Sequence, residues 1–388
     1  MHAYFANPTR CDMMEIDPIR IRPENDKPVN HRADYVLYWM TAFRRVKWNH
    51  ALQRAVQAAK ELDKPLLVFE PLRTGYRWSC DRFHRFIIEG MHCNQQQSQS
   101  APITYYPYVE PKPNASKGLL AALASRACCV VADDYPCFFL PSMVRHVRRQ
   151  IPTRFELVDS NSILPMNLAD RTFTVAHSYR RWMQKNVLDY VDRPPLENPM
   201  ANTTLPSLDP NLIAKTIDRW PSADLDSLLT RGGLDSLPIN HDVVPSTEMI
   251  GGSSEAENRL QTFIDSKLAR YDSDRNHPDF HATSRLSPYL HFGHLSAHQF
   301  VHAVLKHEKW SPEQTGIPNG KNHGFWNVSP SSEGVLDQII TWRELGFNFA
   351  SRHPRDIDRY ESLPSWARAS LETHADDKRP YLYSMEEF

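Results

Sequence analysis

The segment 271–293 concentrates the groups in this chain that could do chemistry. Thr283, Ser284 and Ser287 place three hydroxyls within five residues, directly ahead of Pro288 and a short apolar stretch. Hydroxyls and backbone N–H groups in such a turn can donate to a diphosphate where glycines are lacking. The same residues could instead cap a helix start. No Gly-x-Gly-x-x-Gly follows the first apolar run, and no Gly-x-x-x-x-Gly-Lys-Ser/Thr occurs. Nucleotide phosphates, if bound, are therefore held outside the usual dinucleotide and P-loop motifs. His291, His294 and His298 have helix-like metal spacing, but Gly293 interrupts them and the helix begins near Ser296, so no metal is assigned. Asp133 and Asp134 close an apolar run, at the strand end where doubly wound sheets bind ligands. Asp81 heads an amphipathic stretch and reads as an N-cap. Arg145, Arg148, Arg149 and Arg154 form a basic cluster best read as a solvated helix face.

The elements that must position these groups fall into two textures. Apolar runs at 35–40, 65–70, 103–109, 128–132 and 155–158 alternate with helical patterns at 49–62, 81–96, 116–126 and 140–149. Strands separated by helices predict an α/β domain, a doubly wound parallel sheet with helices on both faces. A Pro-rich connector, 171–250, carries only short helical pieces such as 212–220 and is expected to wrap over the surface. From 251 to 388 helices dominate, in an all-α domain. Capping boxes are expected at Ser254/Glu257 and Ser296/Gln299. Ser329 followed by Pro330 opens a helix to about Arg352, and Pro364 opens a last amphipathic one. Residues 1–30 are polar and Pro-containing and read as a disordered leader before a first domain at 31–170.

Composition excludes other classes. The 388 residues, 41% hydrophobic and 23% charged, are an ordinary globular mixture. Forty-five basic against 46 acidic residues leave a net charge of −1, which excludes a uniformly basic nucleic-acid coat but not a local groove. No apolar run approaches a membrane span and no secretory h-region opens the chain, so a cytoplasmic, monomeric protein without membrane contact is expected. Cys11, Cys80, Cys93, Cys128, Cys129 and Cys137 form no Cys-x-x-Cys and read as reduced thiols.

Thr283-Ser-Arg-Leu-Ser-Pro-Tyr-Leu-His-Phe-Gly293 resembles the signature of the DNA photolyase and cryptochrome family. Trp342-Arg-Glu-Leu345 resembles its second signature. Asn348-Phe349, Trp366-Ala367, the run from His374 to Arg379, the Tyr38-Trp39-Met40 strand and the Val158-Asp159…Asn161…Pro165 turn look closest to the class II branch. The resemblance implies FAD, folded into a U, in the helical domain. Its phosphates would lie on Thr283, Ser284, Arg285, Leu286 and Ser287, and its ring system near Tyr271. Arg275 and Arg343 would face DNA, and Trp342 would wall a pocket for a flipped pyrimidine dimer, unless it is simply a core Trp on an apolar stripe. The implied activity is light-driven splitting of cyclobutane dimers in DNA by reduced FAD, and the first domain would hold an antenna pigment of folate or deazaflavin type.

Two departures from the family pattern stand out. Where the class II pattern has Glu, four residues before the helix Trp, this chain has Gln338. An amide can hydrogen-bond a thymine carbonyl but can carry no charge and deliver no proton. The chain also stops at Phe388, before the further helical segment in which the family carries its remaining flavin and electron-transfer residues. No catalytic residue is therefore assigned, and the FAD domain is expected to be incomplete, with apolar helix faces left exposed. A blue-light sensor without repair activity and an inactive truncated family member are the alternatives.

Overall fold

The computed structural model describes residues 15–384 and 386–387. Among the described residues six strands form one sheet: β1 (Ile21–Pro23), β2 (Tyr35–Trp39), β3 (Leu66–Leu72), β4 (Thr104–Val109), β5 (Ala127–Asp133) and β6 (Arg154–Val158), in the order β1-β6-β5-β2-β3-β4. All pairings are parallel except β1 with β6, where Ile21 faces Val158. The five expected strands form the parallel core, and the sheet is mixed only through its added edge.

That edge corrects the expected leader. From Glu15 onward the segment is built into the domain, and residues 1–14 lie outside the described residues. Pro18 opens a single 3₁₀ turn capped by the Asp17 side chain. The Arg20 guanidinium is buried, donates to the carbonyls of Ser162 (3.0 Å) and Ile163 (2.5 Å), and lies 3.9 Å from Asp159. A three-residue strand carries no periodicity, and the partners that anchor Arg20 are about 140 residues away in sequence. Neither leaves a local signal.

Helices cover both faces of the sheet. On one, Val36, Tyr38, Val68 and Val131 pack with Ala51, Leu52, Ala55 and Val56 of α1 (His50–Leu62). On the other, Tyr35, Leu37, Trp39 and Val130 pack with Leu119 and Leu123 of α3 (Leu119–Ala124) and Val144 of α4 (Leu140–Val147). Between them in sequence, α2 (Asp81–Ser98) buries Ile87, Ile88 and Met91 against Leu225, Leu234 and Leu237. The last three belong to the connector, which therefore contributes its own apolar anchors. Trp220 is another, its indole N–H donating to Ala115 O at 2.8 Å. Asp81 is the first residue of α2 rather than its cap, and it pairs with His241 at 2.9 Å.

The second domain is helical, with principal helices Ser253–Ser266, Ala297–His307, a continuous helical stretch over 330–352, and Ser365–Thr373. Ser329 caps the stretch at 330 as expected, its hydroxyl accepting from Ser332 N. Ser296 caps its helix, but Gln299 turns away to Glu257, so no reciprocal box forms. The helix expected to open at Ser254 begins one residue earlier, after Gly252 at φ +107°. Its core gathers Phe263, Tyr271, Leu286, Tyr289, Phe300, Leu336 and Ile340. Among the described residues no helix is long and apolar enough to cross a membrane.

Candidate functional site

The hydroxyl segment lies at the second domain's surface with its apolar members turned in. Leu286 and Tyr289 are fully buried, whereas Thr283, Arg285 and Ser287 are exposed. Leu286 thus serves packing through its side chain and can offer a ligand only its backbone. The short helix Ser287–His291 has no side-chain cap, and Ser284 Oγ accepts from Leu286 N at 3.3 Å. The Thr283 and Ser287 hydroxyls are therefore not consumed by helix capping. Arg285 sits at φ +55°, a left-handed conformation costly for a residue with a Cβ, and its guanidinium meets Glu248 of the connector at 3.0 Å. Tyr271 is buried, edge-on to Phe263 at 5.8 Å, with the Arg275 guanidinium 5.4 Å above its ring. Arg275 Nε is buried without a partner among the described residues.

The stretch 330–352 changes its winding at the second signature. Residues Asp337–Trp342 are π-helical, and the Arg343 N–H reaches back to Gln338 O. Such inserts are frequent at functional sites. A turn closed five residues back keeps Gln338 and Trp342 on adjoining faces. Trp342 is 51% exposed, so it is not a core residue. Gln338 is half-buried, and beside it Asp337 is held by a buried bidentate contact from Arg180 (2.6 and 3.0 Å).

Past Trp342 the helix turns to a different task. Arg343, expected to face DNA, donates instead to Asn161 O at 2.6 Å and lies over the Phe347 ring. Glu344 accepts from Ile163 N at 2.6 Å, Leu164 N at 3.4 Å and Tyr179 OH at 3.3 Å. Asn348 bridges Phe173 N and Arg171 O, and Arg352 donates to Ala169 O. This face sutures the helix to the loop that leaves β6. Burial pushes the Glu344 carboxyl up to about 8, against the pull of the Ile163 N–H and of Arg343. The last helix, Ser365–Thr373, buries no residue, and Trp366 is 75% exposed.

The three histidines with metal-like spacing go to three environments. His291 lines a cavity described next, His294 accepts from Gly252 N at 3.0 Å and stacks on Phe86, and His298 sits edge-on to His50 at 5.2 Å. Burial, with Arg20 and Arg45 nearby, pushes His50 and His298 well below the usual imidazole range, and His294 falls to about 3. Gly293 sits at φ +78° against the first domain, where an added Cβ would fall 1.8 Å from Ala42 O. Arg45 donates to its carbonyl at 2.9 Å. The signature's closing glycine is thus a close approach between domains.

Sequence reasoning missed a concavity of about 980 Å³. It opens beyond the carboxyl ends of β2 and β3, next to the point where the strand order reverses between β2 and β5. Trp39, Phe69, Tyr135, Phe139 and Phe292 are among its walls, and Arg73 and Lys117 among its charged lining. Its location could have been read from the strand order, but its residues come from five separated stretches of chain without a shared motif. Asp133, the residue singled out at this sheet end, is committed elsewhere. It accepts from Tyr38 OH and from the N–H groups of Thr41, Ala42 and Phe43 at 2.7–2.9 Å, and so shapes the turn after β2. Asp134 pairs with Arg22.

No protein-family model matches the chain. A deoxyribodipyrimidine photo-lyase of Methanothermobacter thermautotrophicus is 27% identical over 369 residues, covering 95% of this chain and 73% of that protein. One of Arabidopsis thaliana is 27% identical over 389 residues, covering 96% and 71%. A bacterial class III photolyase from Agrobacterium tumefaciens shares the fold at a TM-score of 0.57 and 16% identity, over 83% of this chain and 60% of that one. With relatives of one kind aligned along nearly the whole chain, and the same fold in a solved structure, the chain belongs to the photolyase/cryptochrome superfamily.

Proposed function

We propose that the chain is a light-driven DNA-repair flavoprotein of the class II branch, holding FAD in its helical domain and splitting cyclobutane pyrimidine dimers. The observation that carries this reading is the uncommitted hydroxyl run. Thr283 and Ser287 are exposed and cap nothing, around an arginine held at positive φ, inside the segment that resembles the family's phosphate grip. The residues present fit the diphosphate end of the group: the exposed Thr283 and Ser287 hydroxyls and the backbone around Leu286. When bound, reduced FAD supplies the electron that light drives into the dimer.

The chain's own residues bind and orient. A dimer pairs and stacks poorly, so extruding it from the duplex costs less than flipping a normal base; photolyases are among the base-flipping enzymes. Trp342, half-exposed on the π-helical insert, provides the flat apolar wall. Gln338 on the adjoining face donates an amide N–H to a thymine carbonyl. Arg275 contacts backbone phosphate. Arg343 is withdrawn from this role, since its guanidinium holds Asn161 O. The cavity of the first domain takes the antenna pigment, of folate or deazaflavin type, in a cytoplasmic monomer.

The test is direct. Purified protein is titrated with FAD, and the complex is exposed to blue light with a dimer-containing oligonucleotide. Flavin uptake with recovery of the intact pyrimidines is expected. Protein that stays colourless after adding FAD sinks the reading. Gln338, in place of the class II Glu, favours a second reading, a blue-light sensor; flavin uptake with no recovered pyrimidines selects it.

A further inference from the structure

We propose that Arg73 and Lys117 form an anion clamp at the first-domain cavity, so that it selects a flat aromatic ligand bearing a phosphate or carboxylate tail over its neutral parent. The inference rests on the assignment of that cavity to a pigment. Among the described residues no Asp or Glu lines it, and the Arg and Lys residues that do are Arg44, Arg73 and Lys117. Arg44 is spent, on Glu70 at 3.0 Å and Pro71 O at 2.9 Å. Arg73 and Lys117 have no carboxylate partner among the described residues.

They are brought together by construction. Glu110, fully buried just past β4, accepts from Thr74 N at 3.2 Å and from Ser116 N and Oγ at 3.2 and 2.6 Å. One carboxylate thus staples the loop after β3 to the loop after β4. Arg73 precedes Thr74, and Lys117 follows Ser116, so the staple sets both cations at the same rim. Arg73 lies 6.0 Å from the Phe139 ring, another lining residue. A separate feature asks for a ligand: Trp39 is 3% exposed, lines the cavity, and its indole N–H has no partner among the described residues. Buried donors of this kind are ordinarily satisfied, and a ring carbonyl of a heterocycle would satisfy it. Aromatic walls, an orphan donor and two free cations together describe a planar, acceptor-bearing anion.

The experiment titrates the full chain with two fluorescent pairs, FMN against riboflavin and folic acid against pterin. FMN and folic acid are expected to bind about tenfold more tightly than their neutral partners, the scale of two partly exposed charge pairs. The pair with the larger gap tells a phosphate tail from a carboxylate one. In the R73Q/K117Q variant the anions should fall to the affinity of the neutral ligands, which should not change. A121W, which fills the cavity, should abolish both. Equal wild-type affinity within both pairs, parallel loss of neutral and anionic ligands in R73Q/K117Q, or FMN binding that survives A121W overturns the clamp. Absence of any binding refutes the pigment assignment itself.

Discussion

Glu344 offers the sharpest test of how the two domains are joined. Its carboxyl is buried, ties the second domain to the loop after β6, and accepts its shortest bond from Ile163 N at 2.6 Å. Glu344→Ala strands that amide in a dry interface, at a cost of about 1–3 kcal/mol, to which the vacated space adds about 1 kcal/mol. Glu344→Gln keeps the acceptor and the shape. The two variants separate packing from charge, because burial raises this carboxyl from its ordinary 4.5 to about 8. Between those values the folded chain holds a proton that the unfolded chain has released, so this group's contribution to stability falls as pH rises and levels off above 8. Gln does not titrate. The stability of E344Q relative to wild type should therefore climb across that window, by a few kcal/mol at most. Urea unfolding at a series of pH values measures the difference. If the wild type gains on E344Q as pH rises, the amide donors and arginines outweigh burial, and the protonated-carboxyl account is wrong.

Three further outcomes can be checked. Gly293→Ala combines a left-handed φ with a Cβ placed 1.8 Å from Ala42 O, so about 3 kcal/mol or more should be lost, read as a lower urea midpoint; a loss under about 1 kcal/mol would mean that the domains do not meet as described. His50, His294 and His298 are held neutral in the fold, so the unfolded chain binds more protons below about 6.5 and stability should drop as pH falls through that value, a drop that H298Q should blunt and that would be absent if these rings were hydrated. Gln338→Glu should raise the yield of dimer repair per photon while leaving oligonucleotide affinity within about twofold, and an unchanged yield would remove Gln338 from the lesion pocket.

The sequence carried the fold where its signals are local. The five parallel strands are runs of five to seven mostly apolar residues, largely buried on both faces, and such runs stand out without tertiary information. Ser296 and Ser329 were legible as caps for the same reason. What could not be read was set by partners far along the chain. The antiparallel edge β1 depends on Arg20 reaching the carbonyls of Ser162 and Ile163. Arg343 has the chemistry of a phosphate contact, and only the fold reveals that Asn161 O occupies it. Asp133 occupies the right place for a ligand contact in a doubly wound sheet, yet three N–H groups of the turn after β2 claim it. In each case the deciding partner is a backbone group that leaves no trace in composition. The cavity shows the complementary failure: Arg73 and Lys117 belong to no motif, and they matter because Glu110 joins two loops.

The signature segment illustrates why a short motif can be so informative in this fold. Its residues answer to different neighbours: Thr283 and Ser287 to solvent, Leu286 and Tyr289 to the helical core, His291 and Phe292 to the first-domain cavity, and Gly293 to the backbone at Ala42. The five residues of Ser287–His291 span about 7 Å at the helical rise. The hydroxyl end and the cavity wall are therefore ends of one rigid turn pinned by Tyr289, whose hydroxyl donates to Ile250 O at 2.7 Å. A substitution anywhere along it disturbs at least two surfaces together. Loosening Tyr289, by Tyr289→Phe, should therefore weaken ligand binding at the hydroxyls and in the cavity alike, whereas loss at one site only would show that the turn does not move as a unit.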